Sequence, residues 1–579
     1  MKNRRSEKYR HLLEAVLGIA LFVSLSVLSQ FFFQRFDLTE EKRHTLSATT
    51  IDMLRQLDDA MYIKVFLDGD FPADYQRLRQ AIREKLDEMR AYAGENVQYE
   101  FINPSEAEDK ASREAMYGEL VEKGLDYTSL QIKKKDGVEE KIIFPGALIS
   151  YQDREFPLQI LRNQQRTTDA AMVNRTINSL EYSFVNAFYL LESNRRQKVA
   201  ILQGQGELPP IAMRSFQNEL LRFYDVEYVE IDEHIDALSR NVAGEGKRIN
   251  RYDALVIAKP LHRFSEKNKF IIDQFIMRGG KVLWMVDAMK VSLDSLQKKE
   301  TTLALPLRVN LDDMLFNYGV RINRDLLLDR TCAPISLNVG PKGNERSELF
   351  PWYYQPILIP DNPHPITANV DPILTDFVSS VDTVEVAGIQ KNILLRSGPY
   401  TRIMKSPVRV SLNIVSIDPD FGSSNRPHQP VAILLEGVFK SNFANRMPPE
   451  FYEEPLLGFR EEGEFTRMLV IGDGDIARNP VNPDSTRWRE LGYDPVLQRP
   501  LYGNKEFLIN AVNYLLGDER LINVRSRSVA LRKLDDEEIL SRRLYWQAAN
   551  IGVPVGIMIL LGFVLALLRK KRYAKKIHA

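Results

Sequence analysis

Apolar positions along the chain fall into three patterns. At each end stands one unbroken apolar run, residues 12–33 and 548–568. Each has about the ~20 residues a helix needs to cross ~30 Å of hydrocarbon, so each predicts a membrane span. The second pattern is alternating. After a polar stretch at 37–50, the sequence reads as strand 61–67, helix 72–93, strand 97–102 and helix 105–123, then two strands around Asp136-Gly137. Pro72 suits a first helical turn, and Asp-Gly is a strong hairpin signal. Strands and helices in this order predict a thioredoxin-like α/β layer. Between 167 and 192, Ala171, Ile177, Leu180, Phe184, Phe188 and Leu191 recur on nearly one helical face and predict a long connecting helix.

The third pattern is a series of short, wholly apolar strands separated by helices. Residues 198–202 (KVAIL), 226–231, 253–258 (DALVIA) and 281–286 (KVLWMV) read as strands, with helices at 213–223 and 265–277. Ser265 is placed to cap the second helix, and Gly279-Gly280 to end it. Strand 467–471 (RMLVI) and helix 505–516 continue the series. Continuous apolar strands between helices predict a parallel sheet covered on both faces. The sheet is interrupted by a large insertion, about 300–465, Pro-rich around 351–372. An interruption of that length predicts a subdomain rather than a loop.

Charge orients the ends. Lys2, Arg4, Arg5, Lys8 and Arg10 precede the first run; Arg569, Lys570, Lys571, Arg572, Lys575 and Lys576 follow the second, against only Arg542 and Arg543 before it. The positive-inside bias predicts both termini in the cytoplasm and the body between the spans on the periplasmic side, with Tyr545 and Trp546 as interfacial anchors. The first run extends past the ~7–15 residues of a signal-peptide core, which predicts an uncut anchor. Glu14 can snorkel to the interface, and the spacing of Gly552 and Gly556 predicts a helix-packing face. Over the whole chain, 78 basic and 78 acidic residues cancel, so no basic surface argues for nucleic acid. The single cysteine, Cys332, excludes an intrachain disulfide and any two-cysteine redox or zinc motif. The histidines are scattered without metal-ligand spacing.

In a doubly wound sheet, ligands bind beyond the carboxyl ends of the strands, so the chemistry is sought there. The first strand of the series ends in Gly204-Gln205-Gly206-Glu207, where glycines would let backbone amides approach an anion. Pro209 stands where a dinucleotide fingerprint needs a small residue, so no nucleotide is implied. A later strand ends in Gly472-Asp473-Gly474-Asp475, two carboxylates able to face a cation, without the further ligands of a calcium loop. Gly204, Gly206, Glu207, Asp473 and Asp475 are therefore the candidate ligand-binding residues, with a tight turn or helix cap as the plainer account of each. A phosphate loop, a Gly-x-Ser-x-Gly elbow and a His-Glu-x-x-His motif are all missing. Cys332, in a Thr-Cys-Ala-Pro context, reads as a buried small residue. No catalytic residue, metal site or cofactor is expected.

The segments DLTEEKRHTLSATT after the first span, KVAILQGQGELPP, DALVIAKPLHRFSEKNKFIIDQFIMRGGKVLWMVDA, MLVIGDGDIARN and NKEFLINAVNYLLGDERLI occur in that order before the last span. In this the chain resembles the gliding-motility-associated auxiliary component of ABC transporters, the GldG type, over nearly its whole length. The resemblance implies a central domain similar to the class I glutamine-amidotransferase fold (flavodoxin-like), a fold also seen in an intraflagellar-transport subunit, without its catalytic Cys-His-Glu set. Strand 281–286 agrees, since it is followed by Asp287-Ala288 and not by a Gly-x-Cys-x-Gly elbow. The resemblance further implies a bacterium of the Bacteroidetes type and partnership with a multi-span permease and a cytoplasmic ATP-binding subunit. It names no substrate. The expected plan is a cytoplasmic tail (1–11), a span (12–33), a linker (34–60), a thioredoxin-like domain (61–165), a connecting helix (166–195), an amidotransferase-like domain (196–520), a juxtamembrane segment (521–547), a span (548–568) and a cytoplasmic tail (569–579). Three functions fit: a non-catalytic accessory subunit in the inner membrane, a periplasmic binding module for a small ligand, peptide or glycan, and, against the missing nucleophile, a hydrolase or amidotransferase.

Overall fold

The computed structural model describes residues 45–517 apart from 107–108, 135–136, 162–168, 193–195, 243–246, 298–299, 340–345, 361–363, 368–369, 418, 423–424, 447–456, 483 and 485. It also describes residues 543–574 and Leu17, Gly18 and Ser24. The first apolar run, those three residues excepted, and with it Glu14, the basic residues near either end other than Arg543 and Arg569–Arg572, and Asp136 of the hairpin turn lie outside the described residues. The chain divides into two units, 1–528 and 529–579.

Near the start of the first unit, helix α1 (Ala48–Arg55) is capped by Ser47, whose side chain accepts from the Thr50 N–H. There follow β1 (Met61–Val65), α2 (Ala73–Ala93), β2 (Val97–Phe101), α3 (Lys110–Glu122), β3 (Thr128–Lys134), β4 (Gly137–Ile143), β5 (Gly146–Tyr151), β6 (Arg154–Gln159) and α4 (Asp169–Glu192). Four strands form a sheet in the order β2-β1-β5-β6, with β1 parallel to β2 and antiparallel to β5. Met61, Ile63 and Val65 alternate inward from β1 and pack with Leu78, Ile82 and Leu86 of α2 and with Phe184 and Phe188 of α4. Period 2 thus meets period 3.6 across one core. The sequence pattern did not register β5 and β6. Pro72 precedes α2 as its N-cap rather than standing inside its first turn.

The larger sheet is built from β7 (Lys198–Gln203), β8 (Asp225–Glu230), β11 (Ala254–Ala258) and β12 (Lys281–Met285), with a small hairpin of β9 (Ser239–Val242) and β10 (Lys247–Asn250) outside it. Three further strands join: β13 (Ile389–Arg396), β14 (Pro430–Lys440) and β15 (Glu462–Ile471). The order is β13-β14-β15-β12-β11-β7-β8. From β15 to β8 the strands are parallel, whereas β14 pairs antiparallel with both β15 and β13. The predicted parallel sheet is therefore mixed, and the insertion is not a separate body: it contributes β13 and β14. The reason lies in Val431 to Leu435, five consecutive buried residues that need cover on both faces and ladder partners at both edges.

Each face of this sheet has its own core. Val199, Ile201, Val256, Leu283 and Leu469 face Phe216 and Leu220 of α5 (Arg214–Leu221) and, farther along the chain, Phe507 and Val512. Ala200, Leu255, Ile257, Trp284 and Val470 face Ile272, Phe275 and Ile276 of α6 (Glu266–Met277), which Ser265 caps by accepting from the Asn268 N–H at 3.2 Å. After α6 come α7 (Asp312–Tyr318) and α8 (Asn504–Leu516), the helix that carries Phe507 and Val512. The rest of the insertion closes over Trp352, Tyr354 and Phe377, beside an antiparallel pair of Cys332–Val339 and Arg346–Leu358. Cys332 begins its strand and is half-buried; burial, with Asp329 nearby, pushes its thiol up to about 12.

The second unit holds α9 (Arg543–Ala574). Its segment Asn550–Leu568 is long and apolar enough to cross a membrane, and none of it is buried. Among the described residues it is the one helix of that kind. A Cβ added at Gly552 or Gly556 would meet nothing within 4 Å.

Candidate functional site

The carboxyl ends of β11, β12 and β15 converge on a buried charged cluster. Lys259 follows β11 directly, and its backbone stands at φ +57°, left-handed and costly for a residue with a Cβ. Its N–H is held by the Met285 carbonyl at 2.8 Å. Lys259 Nζ lies 3.1 Å from Asp287 Oδ2, just past β12, and also contacts Asp475 Oδ2, just past β15. The three side chains are only 7–9% exposed. Asp475 is shared with Arg478, whose Nε stands 2.6 Å from Asp475 Oδ1 at the more exposed rim.

Asp473 lies beneath this pair and is fully buried. Its Oδ1 accepts from the Asp475 N–H at 2.7 Å, and its Oδ2 from the Asp376 N–H at 2.9 Å. Asp376 comes from the insertion, so this contact ties insertion to sheet. Asp287 Oδ1 in turn accepts from the Gly474 N–H at 2.5 Å. The glycines permit such close approach. A Cβ at Gly472 would come within 2.4 Å of the Ser379 carbonyl oxygen, and one at Gly474 within 2.8 Å of Lys259 Cβ.

Four carboxylates here face two cations, and the protonation equilibria reflect that imbalance. Burial raises Asp473 well above the usual carboxylate range, and repulsion by Asp287 and Asp475 adds to it. Burial likewise raises Asp287, although Lys259 opposes the shift. Asp376 is pushed up to about 8, by burial first and then by Asp475; its Oδ1 is sealed from solvent and accepts no hydrogen bond. Burial alone would lower Lys259, but the attraction of Asp287 and Asp475 outweighs it and keeps the ammonium protonated. Oxygens of Asp287, Asp473 and Asp475 lie within 4.8 Å of one another, a spacing that suits a hard cation, and here the ammonium of Lys259 supplies the positive charge to two of them. A cavity of about 190 Å³ adjoins the cluster, lined among others by Thr375, Asp376, Asp475, Arg478, Tyr493 and Tyr502.

The Gly204–Glu207 turn is built differently. Gly204 and Gly206 have φ of +103° and +77°. The Gln205 carbonyl accepts from the Leu261 and His262 N–H groups at 2.9 and 2.8 Å, which packs this turn against the segment that follows Lys259. Glu207 is buried and folds back so that Oε2 accepts from the Gln205 N–H at 2.7 Å. Its Oε1 is sealed without a partner, and burial raises its pKa. The two predicted turns thus flank one segment, 259–262, from opposite sides. Lys259, Asp287, Asp376 and Arg478, which complete the cluster, were not singled out as ligands by the sequence. Lys259 and Asp287 each follow an apolar strand directly, and that position was the available signal; Asp376 lies about a hundred residues from Asp473 and gave none.

A family model for an ABC-type uncharacterized transport system matches residues 196–511. A second, a domain of unknown function (DUF7088), matches residues 40–150. An uncharacterized protein of Borreliella burgdorferi is 20% identical over 97% of this chain and 98% of its own length. Among solved structures, the mmIFT52 N-terminal domain aligns with 56% of this chain and 99% of its own at 11% identity and a TM-score of 0.31. A ThuA-like protein from Parabacteroides merdae aligns with 56% of this chain and 90% of its own at 11% identity and a TM-score of 0.25. The family match covers the whole larger sheet, from before β7 into α8, and with it every residue of the strand-end cluster: the chain belongs to the family of auxiliary proteins of the ABC-type uncharacterized transport system.

Proposed function

We propose that this protein is a non-catalytic accessory subunit of an ABC transporter of the gliding-motility, GldG type, held in a bacterial inner membrane by two spans. Both termini are cytoplasmic in this reading and the main body is periplasmic, with a thioredoxin-like domain at 61–165 and an amidotransferase-like domain at 196–520. Its partners are a multi-span permease and a cytoplasmic ATP-binding subunit. The observation that carries the non-catalytic part is the chemistry at the strand ends. Where an elbow after strand 281–286 would carry a nucleophile stands Asp287, ion-paired to a protonated lysine that is 8% exposed. An ammonium has no lone pair to attack with, and the aspartates around it serve as its counter-ions. Family membership supports the accessory role, and α9 supports anchoring at the second apolar run.

Co-purification from the native membrane in mild detergent tests this reading. Recovery of a permease and an ATP-binding protein with the tagged chain is the expected result; recovery of the chain alone refutes it. For topology, a reporter active only in the periplasm and fused after Ala579 should stay silent. A second reading, a periplasmic binding module, is favoured by the cavity beside Asp376 and Arg478. It places the ligand against Asp376, Asp475 and Arg478; Asp473 and the Gly204–Glu207 turn do not line this cavity. Loss of function in Asp475→Asn with unchanged thermal unfolding and unchanged co-purification would select it over the first.

A further inference from the structure

A second cleft, larger and more open than the cavity at the cluster, lies along α7. It encloses about 590 Å³, within the ~300–1,000 Å³ usual for small-molecule sites. Its walls come from α7 and the segment just after it, with one residue from the turn at 441–446. Arg321, Arg324 and Arg446 line it together with Phe316 and with Asp312 and Asp313, the carboxylates that pair with Arg324 and Arg446. A narrow crevice bordered by both Asp287 and Arg321 and Arg324 lies between this cleft and the strand-end cluster. The cleft thus shares Asp312, Arg321 and Arg324 with a crevice that reaches Asp287 at the end of β12.

The three guanidinium groups are only partly engaged. Arg321 uses Nη2 on Asp382 at 2.8 Å and Nε on Asn323 at 3.1 Å; Arg324 uses Nη2 on Asp312 at 3.1 Å. Arg446 stands 3.7 Å from Asp313, and that carboxylate is already taken at 2.8 Å through both oxygens by the buried Lys269. Lys269 also holds Asp313 below the usual carboxylate range against the cost of its burial. A guanidinium carries five N–H donors, so these contacts leave donors of each arginine for something else. All three side chains are about half exposed, and Phe316 offers an apolar face on the same wall at 48% exposure.

We propose that this cleft binds a small anionic ligand that joins an oxyanion, carboxylate or phosphate ester, to a planar or apolar group. Arginines take the oxyanion through paired N–H donors, the geometry in which guanidinium excels over ammonium. Phe316 covers the apolar part. Two arginines tethered by aspartates are held in place before binding, which reduces the ordering cost that long side chains otherwise impose.

The test uses the full-length protein in detergent and isothermal titration with phenyl phosphate, benzoate, inorganic phosphate and phenol. Phenyl phosphate or benzoate should bind in the millimolar range or better, and whichever is tighter identifies the oxyanion. Inorganic phosphate should bind about tenfold more weakly and phenol weaker still, since each lacks one half of the recognised chemistry. Arg321→Gln with Arg324→Gln should weaken binding at least about tenfold and flatten its salt dependence, and Phe316→Ala should weaken the aromatic probes without changing inorganic phosphate. These exposed ion pairs contribute little to folding, so the variants should melt as the parent does. Phenol binding as tightly as phenyl phosphate overturns the proposal. So does affinity unchanged in the double arginine variant, or no heat with either aromatic anion up to ~10 mM.

Discussion

The turns at Gly204–Glu207 and Gly472–Asp475 share one pattern, Gly-x-Gly-acid, and both follow parallel strands of the same sheet. Their glycines are needed for different reasons. In the first turn both glycines adopt positive φ, and the acid closes onto its own backbone. In the second, Gly474 has an ordinary φ of −78°, and what it supplies is the absence of a side chain where Lys259 packs. The first turn is shaped by backbone conformation and the second by buried charge. The same Gly-x-Gly-acid pattern at two strand ends therefore does not imply the same physics.

The sharpest way to break this contrast is Lys259→Met. It leaves Asp287 and Asp475 buried beside Asp473 without their ammonium, and removing one partner of a buried pair costs about 3–5 kcal/mol. Thermal melting should show the largest drop among the variants considered, and raising the pH should deepen it. A melt within a degree or two of the parent would mean that the cluster does not depend on that ion pair.

Gly206→Ala probes the first turn. A left-handed non-glycine residue costs about 1–3 kcal/mol, and the new Cβ would also stand 2.8 Å from His262 Cδ2. The double variant Gly206→Ala/His262→Ala should recover the steric share and leave the conformational share. Full recovery would show that crowding alone required the glycine. Asp473→Asn should cost about 1–3 kcal/mol, because one of the two N–H groups held by its carboxylate would then face an amide N–H₂. Glu207→Gln keeps the acceptor for Gln205 and should stay within about 1 kcal/mol in denaturant titrations. Equal costs for these two would erase the distinction between the turns.

Asp376 supplies the most specific readout. It keeps its proton up to about pH 8 in the fold, whereas an unfolded aspartate loses it near ~4. The folded state binds more protons across that window, so this group's contribution to stability falls as pH rises from about 4 to 8 and then levels off. Asp376→Asn removes the effect. The melting temperature of the variant relative to the parent should therefore rise between about pH 5.5 and 8.5; a constant difference would place the Asp376 pKa in the ordinary range.

Local pattern made much of the fold legible. Wholly apolar strands such as β11, with all five residues buried, and helices with evident caps such as α6 carry their identity in composition and period. The strand β6 is hard to read because Pro157 and the mixed residues around it give no clear alternation, and β5 because its pairing with β1 is non-local. The insertion was recognised as an interruption, but Val431–Leu435 read alone does not say which sheet will take it. Register and partner are fixed by which edge remains open, and that is a property of the assembled sheet.

The same division holds at the candidate site. Residue order alone places glycines and acids at the strand ends with no elbow nucleophile beside them, and an apolar run long enough to span a membrane near each end. Folding is what brings Lys259, Asp287, Asp376, Asp473 and Asp475 into one buried cluster and sets both oxygens of Asp473 on backbone N–H groups. Charge is read from a sequence residue by residue. The free energy of a charge depends on desolvation and on neighbours that lie up to about two hundred residues away in the chain, and those are fixed only when the strands meet.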